Sequence, residues 1–419
     1  MSPAAYMAAF LLAITQENRN KMQADNLRHW DIFCTVVDNY GDIGVTWRLA
    51  RQLAGEYGIE VRLWVDDLNS FAHILPELNP ALVSQHFGGV EVIHWRAPLP
   101  LTWQPGEVLI EAFACDLPSE VLTSLPELAK APKWINLDYL SAESWIDDCH
   151  GLSSPALKGV KKTFFFPGFT PKSGGLICEQ SLFSERDAWQ ATPEHALAHF
   201  AKMGLSDIST DDYLISLFSY ETQALHALLK LWQQSERRVQ LLVPKGRSLG
   251  CIAPLLEQFN QDSGPKVDWQ DPASWQAGQS FSRGALKVQV LPMTDQNGYD
   301  RLLWSCDFNI VRGEDSFLRA QWAAKPFIWH IYQQEEQAHL LKLDAFMARY
   351  CDNLPPLAAQ TWRTLNTAFN CGQGDQASQS WLALNSAMPT LIQHAKKWPA
   401  EAINEADLAN RLVLMAKTG

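Results

Sequence analysis

Two successive series of alternating strand and helix patterns constrain this chain more than any other feature. In the first, residues 31–37, 60–65, 90–95, 108–111, 133–137 and 161–166 are short runs built mainly from Val, Ile, Leu, Phe and Trp. Helical periodicity falls between the early runs, at 45–57, where Leu49, Leu53 and Ala54 share a face, and at 68–75. A helical pattern over 187–203 and a linker over 204–212 end this series. The second has strands at 213–218, 239–244, 288–291, 307–311 and 326–331, helices at 222–233, 299–306 and 316–324, and a mostly helical tail over 378–417. Strands that alternate with helices through short connections build parallel, doubly wound sheets. At 419 residues the chain has room for two such units. The expectation is an α/β protein with two Rossmann-like domains facing a central cleft, at 29–205 and 206–385. Residues 1–28 read as an extension outside the fold, and 386–419 as helices packing back on the first domain.

Charge narrows the function classes. A net charge of −12 argues against a general nucleic-acid binder and against docking on an anionic membrane. No run approaches the roughly 18 apolar residues of a membrane-spanning helix. The apolar stretch 4–14 lacks the basic flank and small-residue cleavage site of a secretory signal, and Met22 is a plausible natural start. The eight cysteines are scattered without metal-ligand spacing, as expected of buried free thiols in a reducing cytoplasm.

Candidate chemistry sits at strand ends. After the run 32–37 comes Asp38-Asn39-Tyr40-Gly41-Asp42-Ile43-Gly44, a loop with two acids four residues apart and glycines that bend it. In open α/β sheets, ligands bind at the carboxyl ends of strands. The segment is no dinucleotide fingerprint, and its acids would repel a phosphate. It can supply a general base or hold a cation. The competing explanation is an Asx turn at Asp38 and a helix N-cap at Asp42. A second constellation, Asn309-Ile-Val-Arg-Gly-Glu-Asp-Ser316, runs from a strand into a helix. Arg312, Ser316 and the helix N-terminus suit an anion, while Glu314 and Asp315 suit a cap or sugar hydroxyls; an ordinary cap competes here too. Phe218 and Tyr220 follow the first strand of the second series, where aromatic rings stack on a base or simply pack in the core. His195 and His199 have the spacing of a zinc pair, but no third ligand is evident, so no metal site is expected.

Together the stretches 31–53, 299–322 and 325–336 resemble the protein-arginine rhamnosyltransferases, EarP, and the likeness extends from about residue 30 to the C-terminus. The resemblance implies a GT-B fold. It implies an inverting transfer of L-rhamnose from dTDP-β-L-rhamnose to an arginine of translation elongation factor P, with no metal or other cofactor. It places essential carboxylates at Asp38, Asp42 and Glu314, and donor-binding groups at Phe218, Tyr220, Gln296, Tyr299, Arg312, Asp315 and Ser316. Asn39, Tyr40, Gly41 and Gly44 would support the acid loop. Tyr299 stands where relatives carry phenylalanine, and Gln333-Gln334 where they carry proline-glutamine. A GT-B enzyme with another nucleotide sugar or a small-molecule acceptor, and a non-catalytic nucleotide-sugar-binding module, are the rival expectations. Donor competition and an Asp42→Asn substitution discriminate among them.

Overall fold

The computed structural model describes residues 29–418, apart from 38–39, 96–98, 100–102, 158, 206, 263–273 and 334–337. Two sheets carry the chain. The first contains β1 (His29–Cys34), β2 (Glu60–Val65), β3 (Ser84–Phe87), β4 (Val90–His94), β5 (Val108–Ala112), β6 (Lys133–Leu137), β7 (Ser153–Leu157) and β8 (Val160–Phe165). Their spatial order is β3-β4-β2-β1-β5-β6-β8-β7. The second contains β9 (Tyr213–Leu217), β10 (Val239–Pro244), β11 (Ser280–Arg283), β12 (Leu286–Leu291), β13 (Phe308–Arg312) and β14 (Phe327–His330), in the order β11-β12-β10-β9-β13-β14. The longer helices are α1 (Gly41–Tyr57), α2 (Leu182–Gln190), α3 (Pro193–Lys202), α4 (Gln223–Trp232), α5 (Arg247–Asp262), α6 (Gln296–Ser305), α7 (Asp315–Trp322), α8 (Ala338–Tyr350), α9 (Pro356–Asn370), α10 (Gly374–Ile403) and α11 (Leu408–Thr418). This is the α/β, GT-B arrangement of two Rossmann-like sheets.

The central strands are parallel and buried over most of their length, which is why they read as largely apolar runs. In each sheet the first strand sits at the switch point. β1 lies between β2 and β5, and β9 between β10 and β13. Crevices beyond the carboxyl ends of such strands receive ligands. Here α1 follows β1, and α7 follows β13.

Several expectations need correction. The sheets are mixed, because β3, β7 and β11 are antiparallel edge strands that their polar sequences concealed. The pattern over 187–203 is not one helix. Pro193 breaks it, opening α3 where its missing N–H costs nothing. The helix expected at 68–75 stops at Ala72, its first turn held by Asp67, which accepts hydrogen bonds from the Asn69 and Ser70 N–H groups. Most consequential, the helix expected at 45 begins at Gly41, with Tyr40 as N-cap. Asp42 and Gly44 therefore occupy a helical first turn rather than a bent loop, and Asp42 is not the N-cap. Two glycines disfavour a helix intrinsically, but here close packing needs one of them. A Cβ on Gly44 would lie 3.3 Å from the Asp315 side chain.

The two halves are tied by the tail and by the connecting segment. The Leu408 N–H of α11 donates to the Leu176 carbonyl, and Arg411 donates to the carbonyls of Thr170, Pro171 and Ser173. Among the described residues no helix is long and apolar enough to cross a membrane.

Candidate active site

α1 and α7 meet N-terminus to N-terminus across the seam between the sheets, and a pocket opens on either side of the Gly313-Glu314 turn. Gly313 is required there, because its φ of 66° is left-handed. The Trp329 indole holds the turn by donating to the Gly313 carbonyl at 2.9 Å, while its ring stacks on Phe317 at 3.8 Å.

The first pocket is lined by Phe218, Gln296, Tyr299, Arg312, Asp315 and Ser316, together with Tyr40 and Gly41 from the first half. Arg312 ends β13 and is 3% exposed. Its Cζ lies 4.5 Å from the Phe218 ring centroid and 4.7 Å from that of Tyr220. Its Nη1 has no hydrogen-bond partner among the described residues. Tyr220 does not line the pocket, but its backbone N–H donates to His330 Nδ1 at 3.2 Å. Burial, reinforced by the Arg312 charge, pushes the His330 imidazole down to about 3, so it stays neutral. Glu314, at the N-cap of α7, makes no capping hydrogen bond with its side chain. The Glu314 side chain thus leaves the first-turn N–H groups of α7, which begins three residues after Arg312, without a cap, the arrangement that receives phosphate. The Ser316 hydroxyl donates back to the Arg312 carbonyl.

Two predicted donor-site residues have partners in the other half. Asp315 accepts from Arg48 Nε at 2.7 Å. The Gln296 amide donates to the Gly44 carbonyl at 2.9 Å and accepts from Arg51 at 3.0 Å. Both line the pocket while binding α7 and α6 to α1. Behind them lies an ionic cluster with no local sequence signature. Arg48 and Arg319, each with a side chain 1% exposed, share Asp300 and Glu179. Arg319 reaches Asp300 at 2.6 and 2.9 Å, and Arg48 reaches it at 3.1 Å through both terminal nitrogens.

The second pocket is lined by Asp42 and Glu314 with Val37, Phe113, Tyr139, Tyr332 and Lys342. Both oxygens of Asp42 are held. The Val37 N–H donates to Oδ2 at 2.9 Å, and the Tyr139 hydroxyl to Oδ1 at 3.1 Å. Glu314 accepts from the Leu140 N–H at 3.0 Å. Burial pushes its carboxyl up to about 8, against the Leu140 hydrogen bond and with help from the Asp42 charge. Phe113 and Ala114 follow β5 with φ of 56° and 51°. Left-handed backbone costs an L residue roughly 1–2 kcal/mol. The Phe113 ring stacks on Tyr139, 4.6 Å between centroids. Tyr139, Leu140 and Phe113 were missed in the sequence. Nothing local marks them, because only the order β1-β5-β6 brings these strand ends beside Asp42. Asp38 and Asn39 lie outside the described residues. Among the described residues no group of three or more His, Cys, Asp or Glu is arranged to hold a metal.

The EarP family model, described as elongation-factor P (EF-P) rhamnosyltransferase EarP, matches residues 30–417. The protein-arginine rhamnosyltransferase of Shewanella oneidensis is 58% identical over 402 residues, 94% of this chain and 99% of that protein. That of Pseudomonas putida is 46% identical over 92% of this chain and 97% of its own length. A solved structure concerned with EarP-mediated arginine glycosylation of translation elongation factor EF-P superposes with a TM-score of 0.64 at 36% identity, covering 93% of this chain and 99% of that one. The chain belongs to the EarP family of elongation-factor P rhamnosyltransferases.

Proposed function

We propose that this protein transfers L-rhamnose from dTDP-β-L-rhamnose to an arginine side chain of translation elongation factor P, with inversion at the anomeric carbon. The observation that carries the reading is the pair of pockets sharing the Gly313-Glu314 turn, one with the buried Arg312 guanidinium, whose Nη1 has no partner among the described residues, and the other with the carboxyl groups of Asp42 and Glu314. A nucleotide diphosphate complements the first, and a cationic acceptor the second.

The diphosphate is held by Arg312 and the first-turn N–H groups of α7, and the thymine packs against Phe218 and Tyr299. The sugar then points past Gly313 toward Asp42. The acceptor guanidinium stays protonated in water and is a poor nucleophile. Asp42 holds it by charge-assisted hydrogen bonds and aligns one nitrogen behind the anomeric carbon. As the C–N bond forms, the C–O bond to the diphosphate breaks. The electron pair leaves with dTDP, whose charge Arg312 stabilises, and the proton from the attacking nitrogen passes to Asp42. On the same physical reading Asp38 orients the guanidinium and Glu314 positions the donor near its phosphate–sugar junction.

Intact-mass measurement of elongation factor P, incubated with the protein and dTDP-rhamnose, tests the reading. A gain of one deoxyhexose is expected. The Asp42→Asn variant should lose turnover by roughly 10²–10⁴-fold, as expected when a general base is removed, while dTDP affinity is kept. No mass gain with the unaltered protein overturns the assignment.

A further inference from the structure

We infer that Tyr139, set in place by Phe113, is a positioning and specificity-determining residue of the acceptor pocket; the inference rests on the proposed role of Asp42. Three observations converge on it. The Tyr139 hydroxyl donates to Asp42 Oδ1, so the ring fixes the rotation of the carboxylate from the side opposite the Val37 N–H. The residue as a whole is 38% exposed, but burial of the phenol and the Asp42 charge beside it keep the hydroxyl protonated, so it acts as the donor. Second, Phe113 stacks on Tyr139 at an interplanar angle of 20°. One face of Tyr139 is thereby covered, while the residue still lines the pocket that Asp42 lines. Third, the Phe113 ring reaches that position through left-handed backbone at two consecutive non-glycine residues. Glycine would adopt the same backbone without strain but would have no ring to stack. Retaining phenylalanine in a strained conformation points to the ring being needed.

The open face of Tyr139 beside a carboxylate is a receptor for a flat cation. A guanidinium stacks on an aromatic face and donates in its own plane to a neighbouring carboxylate, which a tetrahedral ammonium does less well. The wall therefore selects arginine over lysine and turns one guanidinium nitrogen toward the sugar. The hydroxyl acts through Asp42, and the ring acts on the acceptor, so the two functions separate by substitution.

The experiment measures steady-state transfer to elongation factor P with the full chain, alongside dTDP affinity by calorimetry. In Tyr139→Phe, which keeps the ring, kcat should fall about tenfold with acceptor KM within twofold. In Tyr139→Leu, acceptor KM should also rise, by about tenfold. Phe113→Leu should resemble Tyr139→Leu in KM, and Phe113→Tyr should restore it, since only a ring at this position is required. In every variant dTDP affinity stays unchanged, which also reports that the protein is folded. A Tyr139→Phe enzyme with normal kcat beside an inactive Asp42→Asn enzyme overturns the inference alone. Loss of dTDP affinity in Tyr139→Phe also overturns it, by making the residue merely structural. Normal turnover in Asp42→Asn overturns the reading of the site itself, and this inference with it.

Discussion

The seam between the two halves and the pocket beside it both bury arginine, and they handle its charge in opposite ways. In the seam, Arg48 and Arg319 are enclosed by Asp300, Glu179 and Asp315, with ion-pair distances between 2.6 and 3.5 Å. In the pocket, Arg312 is nearly as buried but meets aromatic faces, and its Nη1 has no hydrogen-bond partner among the described residues. Taking a guanidinium out of water without a counter-charge is costly. The fold accepts that cost where a ligand supplies the anion and avoids it where the role is mechanical. The contrast also accounts for Asp315. A carboxylate in the first turn of α7 would repel a diphosphate, and the Arg48 pair neutralises it while clamping α7 onto α1.

The strongest attempt to break this comparison is Asp300→Ala. It removes the carboxylate shared by two buried guanidinium groups and should destabilise the protein by about 3–5 kcal/mol, read as a lowered denaturation midpoint. A variant as stable as the parent would show the seam to be decorative. Arg312→Ala is the counterpart. Its expected stability change is within about 1 kcal/mol or in the favourable direction, because a desolvated charge is removed. Its expected dTDP affinity falls by about 10–100-fold, the loss of charge-assisted hydrogen bonds worth roughly 1.5–3 kcal/mol. If calorimetry finds donor affinity intact, Arg312 is structural and the two regions are alike.

How much of this was legible in the sequence follows from range. The central strands were readable because both faces are buried over most of their length, so each is a largely apolar run. The edge strands β3, β7 and β11 pair on one side only, carry polar residues such as Ser84, Gln85 and Ser280, and give no such run. The Phe218, Arg312 and Ser316 group was visible because strand-end aromatics and a strand–glycine–helix turn are local features. The beginning of α1 was not, since glycine propensity argues against a helix that its contact with Asp315 favours. Least visible were Tyr139 and Leu140, from the loop after β6, and the Arg48–Asp300 pair. Their partners are between 97 and 252 residues away, so chain topology rather than pattern brings them together.

The smallest expected effect tests the carboxylate side of the comparison. Glu314 is held up to about 8, chiefly by burial, whereas an unfolded-chain glutamate titrates near roughly 4.3. Between those values the folded protein binds a proton that the unfolded chain has lost. The contribution to stability is therefore fully present below about pH 4.3 and is lost as pH rises through 8. Glu314→Gln keeps the shape and cannot ionise, so it lacks this slope. The variant should gain on the parent as pH is raised from 5 to 9, by on the order of 1 kcal/mol in total, since the side chain is only partly shielded from solvent. The measurement is the pair of denaturation midpoints across that range. Parallel profiles would mean that Glu314 ionises as an ordinary surface acid. The pocket beside Asp42 would then carry two full negative charges before the acceptor arrives.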